Sequence, residues 1–429
     1  MKNKRKFLFL AVILAVLMAF SCDSGGGDNE DVFGGGDIIF GGGNSHAALT
    51  NMKIGWNLGN SMDAWSGSGG AINPSETVWG NAATTQALIN AVKAQGFDTV
   101  RIPVTWGSKI GAAPAYTLDS AWLNRVAEIV GYVNNAGMNA IINIHHDGAD
   151  SEHWLSVRRD ALTTEGKALV NAKFSAVWKQ IAEKFEDTGS FLIFEGFNEL
   201  HDGGWGYTGY NVPAVGSTAA YTNTSSDITN QRNRVNELNQ LFVNTVRAVG
   251  GENANRYLLV NGLVTRPSET YASYFTLPTD TASNKLMVSI HFYDPYDFSG
   301  SASQATWGNK ALPGNWANEN NVQNNLGSIK TRFIDKGIPV IMGEYGAVRR
   351  NTPEGRAYRL YYLEYITKYA ADCGIVPVYW DNGSSGSGSE GFGLFNRSSG
   401  ALLSDAADVI SVIMKAAKQT YNISTITAP

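Results

Sequence analysis

Two glutamates carry the strongest chemical signal in this sequence. Glu199 ends the segment Phe-Glu-Gly-Phe-Asn-Glu and Glu344 ends Pro-Val-Ile-Met-Gly-Glu, and each follows a short apolar run typical of a buried strand. If both strands belong to one closed barrel, the two carboxyl groups lie at the same rim and can reach one acetal. An acid and a nucleophile in that arrangement can cleave a glycosidic bond. The pair therefore predicts an enzyme that hydrolyses sugar linkages.

Eight short strand-like runs alternate with longer segments of helical period after about residue 50. Several runs are continuously apolar, as expected for parallel strands that are buried on both faces. The alternation predicts an α/β fold, a single (β/α)8 TIM barrel over residues 48–425. A dinucleotide-binding sheet is disfavoured because no Gly-x-Gly-x-x-Gly motif follows the first strand. The runs are residues 53–58, 99–104, 139–145, 191–197, 256–260, 285–292, 339–343 and 376–380.

Polar side chains occur at the carboxyl ends of most of these runs, where a barrel of this kind places its functional groups. We predict that Glu199 and Glu344 are catalytic and that the others bind substrate or support the pair. The supporting candidates are Asn57, Arg101, His145, His146, Asn198, His291, Tyr293, Trp380 and Asn382.

Arg101 lies in an otherwise apolar strand, so its guanidinium group needs a carboxylate partner. That partner is Glu195, in a structural ion pair, or Glu344, which Arg101 would hold ionised, and one guanidinium can bridge both. Glu195 also competes with Glu199 as the acid. Four residues along a strand span roughly 13 Å, so Glu195 is expected well below the rim. Asn198 and Glu199 can both face a substrate only if the chain bends there.

The run His145-His146-Asp147 has a second interpretation, because histidines and carboxylates at strand ends can bind a metal ion. We favour a site without metal or cofactor, since two carboxylates already supply the acid and the nucleophile. His291 and Tyr293 share a strand face, from which an imidazole and a phenol can orient those carboxylates. A buried His–Tyr pair with a purely structural role would give the same pattern.

Eleven tryptophans exceed what a barrel core requires, and indole rings stack well on the apolar faces of sugars. Trp380 is the strongest candidate for such stacking because it ends a strand. For the others, packing within loops is the alternative. These are Trp65, Trp79, Trp154, Trp205 and Trp307.

The N-terminus has the pattern of an export signal. A basic head precedes an apolar run over residues 7–20, which is short for a membrane span, and Ser21-Cys22 follows as at a bacterial lipoprotein processing site. We expect residues 1–21 to be a signal peptide, Cys22 to carry lipid, and residues 22–47 to form a flexible glycine-rich linker. The protein would be exported, as a cell-surface or periplasmic lipoprotein or otherwise as a secreted protein. Ordinary cleavage nearby, with Cys22 unmodified, is the alternative.

The net charge and the cysteine content limit which binding partners and which disulfide bonds are expected. Removal of residues 1–21 deletes four basic residues and changes the formal net charge from −5 to −9. An acidic chain binds nucleic acid poorly, and we expect contact with a membrane only through the lipid anchor. If Cys22 is lipidated, no internal disulfide can form, and Cys373 is expected to be a buried structural thiol.

Motifs along nearly the whole predicted domain resemble, in order, those of glycoside hydrolase family 5 and especially its subfamily 4 of endo-β-1,4-glucanases and xyloglucanases. They are Met-Lys-Ile-Gly-Trp-Asn-Leu-Gly-Asn at 52–60, Val-Arg-Ile-Pro-Val at 100–104, Ile-Asn-Ile-His-His-Asp at 142–147, Phe-Glu-Gly-Phe-Asn-Glu at 194–199, Val-Ser-Ile-His-Phe-Tyr-Asp-Pro-Tyr at 288–296, Gly-Glu-Tyr-Gly-Ala at 343–347 and Trp-Asp-Asn-Gly at 380–383.

The resemblance implies a retaining endo-β-1,4-glucanase with Glu199 as acid and base and Glu344 as nucleophile. Glu199 should then have a raised pKa, through partial burial and the charge of Glu344. The supporting residues that it implies are Arg101, His145, Asn198, His291, Tyr293 and Trp380. One departure is Leu200, which stands where the family usually has proline.

The partner implied by the resemblance is a β-glucan polysaccharide, such as cellulose, xyloglucan or mixed-linkage glucan, and we expect a monomer without cofactor. A xyloglucan-specific enzyme or a β-mannanase of the same family is an alternative. A further alternative, of another class, is a surface lipoprotein that binds glycans without cleaving them.

Overall fold

The computed structural model describes residues 52–67, 72–148, 154–215 and 218–429. The predicted signal peptide (1–21), Cys22 and the predicted linker (22–47) lie outside the described residues. In the part that is described, no helix combines the length and the apolar character needed to cross a bilayer.

Eight parallel strands form a closed barrel, which confirms the predicted fold. Each strand pairs with its neighbours along the chain, and the last strand pairs with the first. The strands are β1 (Gly55–Leu58), β2 (Thr99–Ile102), β3 (Asn139–Asn143), β4 (Leu192–Glu195), β5 (Leu258–Asn261), β6 (Leu286–Phe292), β7 (Val340–Tyr345) and β8 (Ile375–Asp381).

A helix follows each strand and packs around the barrel. Polar residues define where several of these helices begin, because a side-chain oxygen accepts an otherwise unpaired N–H of the first turn, as Asp119 does for Trp122 and Thr163 for Gly166. The barrel helices are α1 (Gln86–Ala94), α2 (Ser120–Asn135), α3 (Thr164–Lys184), α4 (Ser225–Val249), α5 (Pro267–Tyr271), α6 (Glu319–Arg332), α7 (Pro353–Asp372) and α8 (Ala406–Lys418). A further short helix, Tyr296–Ser299, lies between β6 and α6.

The barrel interior is divided into an apolar and a polar layer. Ile141, Ile193, Leu259, Met287 and Ile341 belong to one buried apolar cluster. Two residues further along β3, β4 and β6, side chains on the same strand face are polar, as the period of two requires. The polar layer therefore lies towards the carboxyl ends of the strands, and it forms the floor on which the site is built.

Cys373 directly follows α7 and is buried. Burial raises the pKa of its thiol to about 12, which keeps it protonated and unreactive. The predicted burial of this thiol is confirmed.

Candidate active site

Arg101 is the centre of the polar layer and is fully buried. Its Nε donates to Glu195 Oε2 at 2.8 Å, and its Nη1 donates to Glu344 Oε1 at 2.7 Å. Nη2 donates to Asn198 Oδ1 at 2.8 Å, and Nη1 also reaches Asn57 Oδ1 at 3.0 Å. Both partners proposed from the sequence are thus correct, because one guanidinium group bridges the two acids. It thereby joins β1, β2, β4 and β7.

Glu195 lies beneath the rim, as its position four residues before Glu199 predicts. Its side chain has no exposed surface and accepts hydrogen bonds from Arg101, Asn143 Nδ2 at 3.0 Å and Ser289 Oγ at 2.7 Å. A carboxylate enclosed by three donors is held in a fixed position and out of reach of a polymeric substrate. Glu195 therefore supports the site and does not compete with Glu199 for the role of the acid.

Glu344 occupies the rim on β7 with a fixed orientation. Arg101 holds one of its oxygens, and the Tyr293 hydroxyl donates to the other at 3.2 Å. Its side chain is 8% exposed, while that of Glu199 is 21% exposed. Both oxygens of the less accessible carboxyl group are thus held, which fixes its orientation at the rim.

Glu199 follows β4 in a bent segment, since that strand ends at Glu195. The predicted bend is therefore present and allows Asn198 and Glu199 to serve the same site. Oε1 of Glu199 lies 2.6 Å from Nδ1 of His291, which in turn lies 3.8 Å from Oε2 of Glu344. The imidazole is thus placed between the two carboxyl groups.

The proton affinities of these three groups depend on one another. Burial alone would lower the pKa of His291, but the charge of Glu344 and the hydrogen bond to Glu199 raise it above its usual value. Burial raises the pKa of Glu344, and the positive charges of His291 and Arg101 offset this only in part. The three groups titrate as a unit, because the charge of each one shifts the pKa of the others.

The pKa of Glu199 differs from the value predicted from the sequence. Burial favours its neutral form, but the hydrogen bond and charge of His291 outweigh burial, so its pKa lies below the usual value. The expectation of a raised pKa was wrong because it took no account of His291 as a hydrogen-bond donor to this carboxyl group. In the resting site the proton shared by Glu199 and His291 is held on the imidazole. The roles of Glu199 and Glu344 are therefore assigned from their positions in the site and not from their resting pKa values.

His145 and Trp380 form one wall of the site. Their rings stack with an interplanar angle of 5° and a centroid distance of 5.9 Å. Burial, followed by the positive charges of His146, Arg101 and His291, lowers the pKa of His145 well below its usual value. His145 is therefore neutral, and His146 packs edge-on against it at 4.5 Å.

The other predicted supporting residues are placed as follows. Asn57 is fully buried, accepts from Arg101 and donates to the main-chain oxygen of Gly343, so it joins β1 to β7. Asn382 is also buried, and its Nδ2 donates to the main-chain oxygen of Glu390 at 2.7 Å. Both amides are used within the protein, so they position neighbouring groups and do not face the cleft directly.

Four polar residues of the site were not singled out from the sequence. Asn143 and Ser289 bind Glu195, and their polarity inside buried strands was the available signal. Asp63 is fully buried beside His146, and burial raises its pKa to about 7. Glu390 is a further carboxylate near Glu344 and carries no motif that the sequence alone would reveal.

Asp63, His145 and His146 form a set of residues that could bind a metal ion. Oxygen and nitrogen atoms of Asp63, His145 and His146 lie within 4.8 Å of one another, whereas Asp147 accepts from the main-chain N–H of Trp106. Nδ1 of His145 lies 3.2 Å from Nδ2 of Asn143, whose own Oδ1 accepts from Val104 N–H. Neutral His145 therefore carries its proton on Nε2, which suits a donor to a sugar hydroxyl better than a metal ligand.

The tryptophans divide into two groups. Trp307 is fully buried against Tyr362 and Tyr365, so of the two roles left open for it, packing within the protein is the one that the structure shows. Trp154 is partly buried and donates to Asp147. Trp79 and Trp205 are exposed to 41% and 39%, and Trp65 packs beside Trp79, so these three remain candidates for sugar stacking.

Arg101→Ala is expected to lower the free energy of unfolding by about 3–5 kcal/mol, because it leaves the charge of Glu195 buried and unpaired. Urea denaturation at pH 7 measures this change. Arg125→Ala is the matched control, since Arg125 binds Glu76 and Glu128 but its side chain is 21% exposed. We expect the control to lose less than about 1 kcal/mol. Equal, small losses in the two variants would contradict the role assigned to Arg101.

Comparisons with known proteins show to which family the chain belongs. The family model Cellulase (glycosyl hydrolase family 5) matches residues 63–386. Endoglucanase A of Paenibacillus barcinonensis is 36% identical over 385 residues, covering 85% of this chain and 88% of that protein. Xyloglucan-specific endo-beta-1,4-glucanase BoGH5A of Bacteroides ovatus is 34% identical over 379 residues, covering 85% of this chain and 68% of that protein.

A solved structure extends the agreement to the fold. The GH5-4 broad specificity endoglucanase from Bacteroides salanitronis has a TM-score of 0.78 and 44% sequence identity, covering 87% of this chain and 94% of that one. The family predicted from the motifs is confirmed: the chain belongs to glycoside hydrolase family 5 and is a glycoside hydrolase.

Proposed function

We propose that the protein is a retaining endo-β-1,4-glucanase that cleaves internal bonds of cellulose-type glucans. The observation that carries the proposal is the arrangement of Glu199, His291 and Glu344, which each bring one oxygen or nitrogen atom within 4.8 Å of the others. Retaining enzymes hold their carboxyl groups about 5–5.5 Å apart, whereas inverting enzymes leave roughly 6.5–9.5 Å for a water molecule. One oxygen of Glu199 lies within 4.8 Å of one oxygen of Glu344, and this short distance supports double displacement.

In the first step, Glu344 attacks the anomeric carbon while Glu199 donates a proton to the departing glycosidic oxygen. Arg101 and Tyr293 hold Glu344 for this attack. In the second step, Glu199 accepts a proton from water, which hydrolyses the glycosyl ester on Glu344 and restores both carboxyl groups. The proton that Glu199 donates in the first step comes from His291, which contacts that carboxyl group directly, and the proton taken from water in the second step restores the shared proton.

Asn198 supports the transition state in this mechanism. Its Oδ1 accepts from Arg101, which fixes the amide plane and leaves the Nδ2 group as a donor to the cleft. A hydrogen bond from Nδ2 to the sugar 2-hydroxyl would strengthen as positive charge develops at the anomeric carbon.

Hydrolysis of a polysaccharide panel tests the proposal. Cellulose, mixed-linkage glucan, xyloglucan and mannan are each incubated with the protein, and products are analysed for length and for anomeric configuration by NMR. We expect a rapid fall in viscosity and initial products that retain the β configuration. Initial α products, or no reducing sugar from any of these glucans, would overturn the proposal.

A xyloglucan-specific activity is the second candidate. It is supported by the similarity to the Bacteroides ovatus enzyme, whose name states that specificity. The panel separates the two, because a xyloglucan-specific enzyme would hydrolyse xyloglucan and leave unbranched glucans intact.

The pH dependence of kcat/KM is expected to be bell-shaped. Glu344 must be ionised, and its raised pKa places the acid limb above pH 4.5. The shared proton must be present, and the raised pKa of His291 places the alkaline limb above pH 6.5. In His291→Asn the proton would rest on a carboxyl group alone, so the alkaline limb should move to lower pH. An unchanged alkaline limb in that variant would contradict the role of His291.

We also propose that the protein is exported as a lipoprotein and acts as a monomer. The basic head, short apolar run and Cys22 support lipidation, and the glycine-rich residues that follow suit a tether. Incorporation of labelled palmitate in cells and sedimentation of the purified protein test these two points. Absence of label, or a dimer at micromolar concentration, would overturn the respective one.

A further inference from the structure

Glu390 is an additional carboxylate beside the proposed catalytic pair, in the segment that follows β8. Its Oε1 accepts from the Tyr296 hydroxyl at 3.3 Å, and its Oε2 lies 3.4 Å from Asn382 Nδ2. The charge of Glu390 helps to raise the pKa of Tyr293, the residue that donates to Glu344. Desolvation in the cleft, with a smaller effect of Glu344, raises the pKa of Glu390 itself. Glu390 is thus within electrostatic reach of the reacting groups.

The main chain holds Glu390 in an uncommon conformation. Its φ angle is +62°, in the left-handed region that side-chain-bearing residues rarely adopt. Asn382 secures this conformation, because its Nδ2 donates to the Glu390 main-chain oxygen while its Oδ1 accepts from Ser384 N–H. The Ser389 hydroxyl donates a hydrogen bond to the main-chain oxygen of Ser301, in the segment that also carries Tyr296. Such local strain is concentrated at functional sites, where the surroundings enforce it.

Glu390 is also accessible, unlike the buried acids beneath it. The residue is exposed, and its neighbour Tyr296 is 52% exposed. Trp380, the wall on which we expect a sugar to stack, packs in one cluster with Phe392, and Tyr293 packs against that cluster. A carboxylate in this place can accept hydrogen bonds from the hydroxyl groups of a neutral sugar in the cleft.

We propose that Glu390 is a specificity-determining residue that accepts a hydrogen bond from a sugar hydroxyl and excludes glucans that carry carboxylate substituents at that point. The inference rests on the proposed function and defines its substrate class as neutral β-glucans. Two arginines near this wall are already paired with acids. Arg349 contacts the loop of Glu390 but is buried and bound to Asp405, and Arg101 is fully buried and bound to Glu195 and Glu344. An anionic substituent beside Glu390 is therefore repelled by its charge.

The test compares hydroxyethylcellulose, which is neutral, with carboxymethylcellulose of matched substitution. The quantity measured is kcat/KM for the anionic polymer divided by kcat/KM for the neutral one. Glu390→Gln keeps the shape of the side chain and removes its charge, so this ratio should rise about fivefold at low ionic strength. The rise should shrink in 0.5 M NaCl, because salt screens the repulsion.

The matched control is Glu252→Gln, which removes the same charge from an exposed residue in the turn preceding β5, at the opposite end of the barrel. We expect its ratio to equal that of the unmodified enzyme. A ratio that is unchanged in Glu390→Gln, or that rises equally in Glu252→Gln, overturns the proposal for Glu390 while hydrolysis of the neutral polymer still supports the glucanase. Failure of the unmodified enzyme on both polymers overturns the proposed function, and the inference with it.

Discussion

Glu344→Gln is expected to lower kcat on cello-oligosaccharides by at least about 10⁴-fold, because an amide cannot form the covalent ester with the anomeric carbon. The replacement preserves the volume of the side chain, and its oxygen can still accept from Arg101, so the fold should persist. Stopped assays on cellopentaose measure the loss, and thermal unfolding shows whether the barrel remains intact. Substantial turnover by the pure variant would contradict the assignment.

A second measurement identifies the nucleophile directly. A cellobioside with fluorine at C2 and a good leaving group slows both chemical steps by destabilising positive charge at the anomeric carbon, so the glycosyl enzyme accumulates. Mass analysis of peptides should place the sugar on Glu344. Glu195→Gln is the informative comparison, since it removes the other carboxylate partner of Arg101 without removing the nucleophile. The Glu195→Gln variant should be less stable, but the fluorinated sugar should still label Glu344.

The fold could be predicted because the strands share a recognisable pattern of short, mainly apolar runs. Leu192, Ile193 and Phe194 illustrate the continuous apolar pattern of a strand that is buried on both faces, and all eight runs found by this pattern are barrel strands. Polar residues at or near the ends of most runs mark the carboxyl ends, which in this fold form the active face. Strand order then follows from chain order, since successive strands of such a barrel are neighbours.

The site could be predicted only as far as it depends on strand ends. Arg101, Glu344 and His291 are placed by strands, and their contacts agree with the interpretation of the sequence. Glu390 was missed because it lies in a loop whose path is set by Asn382 and by a positive φ angle. The pKa of Glu199 was misjudged for a related reason. Its hydrogen bond to His291 depends on an interatomic distance that no spacing along the chain supplies.

Glu199→Ala is the second change with a large expected effect, and its size should depend on the leaving group. On cellopentaose, kcat should fall by about 10²–10⁴-fold, because the departing sugar alkoxide requires a proton. On a dinitrophenyl cellobioside the leaving group needs no proton, so the first step should keep nearly its full rate and a burst of dinitrophenolate should appear. Rapid-mixing absorbance measurements separate the burst from the slow turnover that follows.

The slow phase should respond to a nucleophile that needs no general base. Azide can attack the glycosyl ester on Glu344 without help, so it should restore turnover in Glu199→Ala and yield the β-glycosyl azide. The unmodified enzyme is the control, since Glu199 already activates water and its charge opposes entry of the anion. His291 lies 2.6 Å from Glu199 and could replace it as acid only if it reached the glycosidic oxygen itself. Loss of the burst in Glu199→Ala would show that Glu199 has a different role. A retained burst together with rescue by azide would separate the acid and base functions of Glu199 from the nucleophilic function of Glu344.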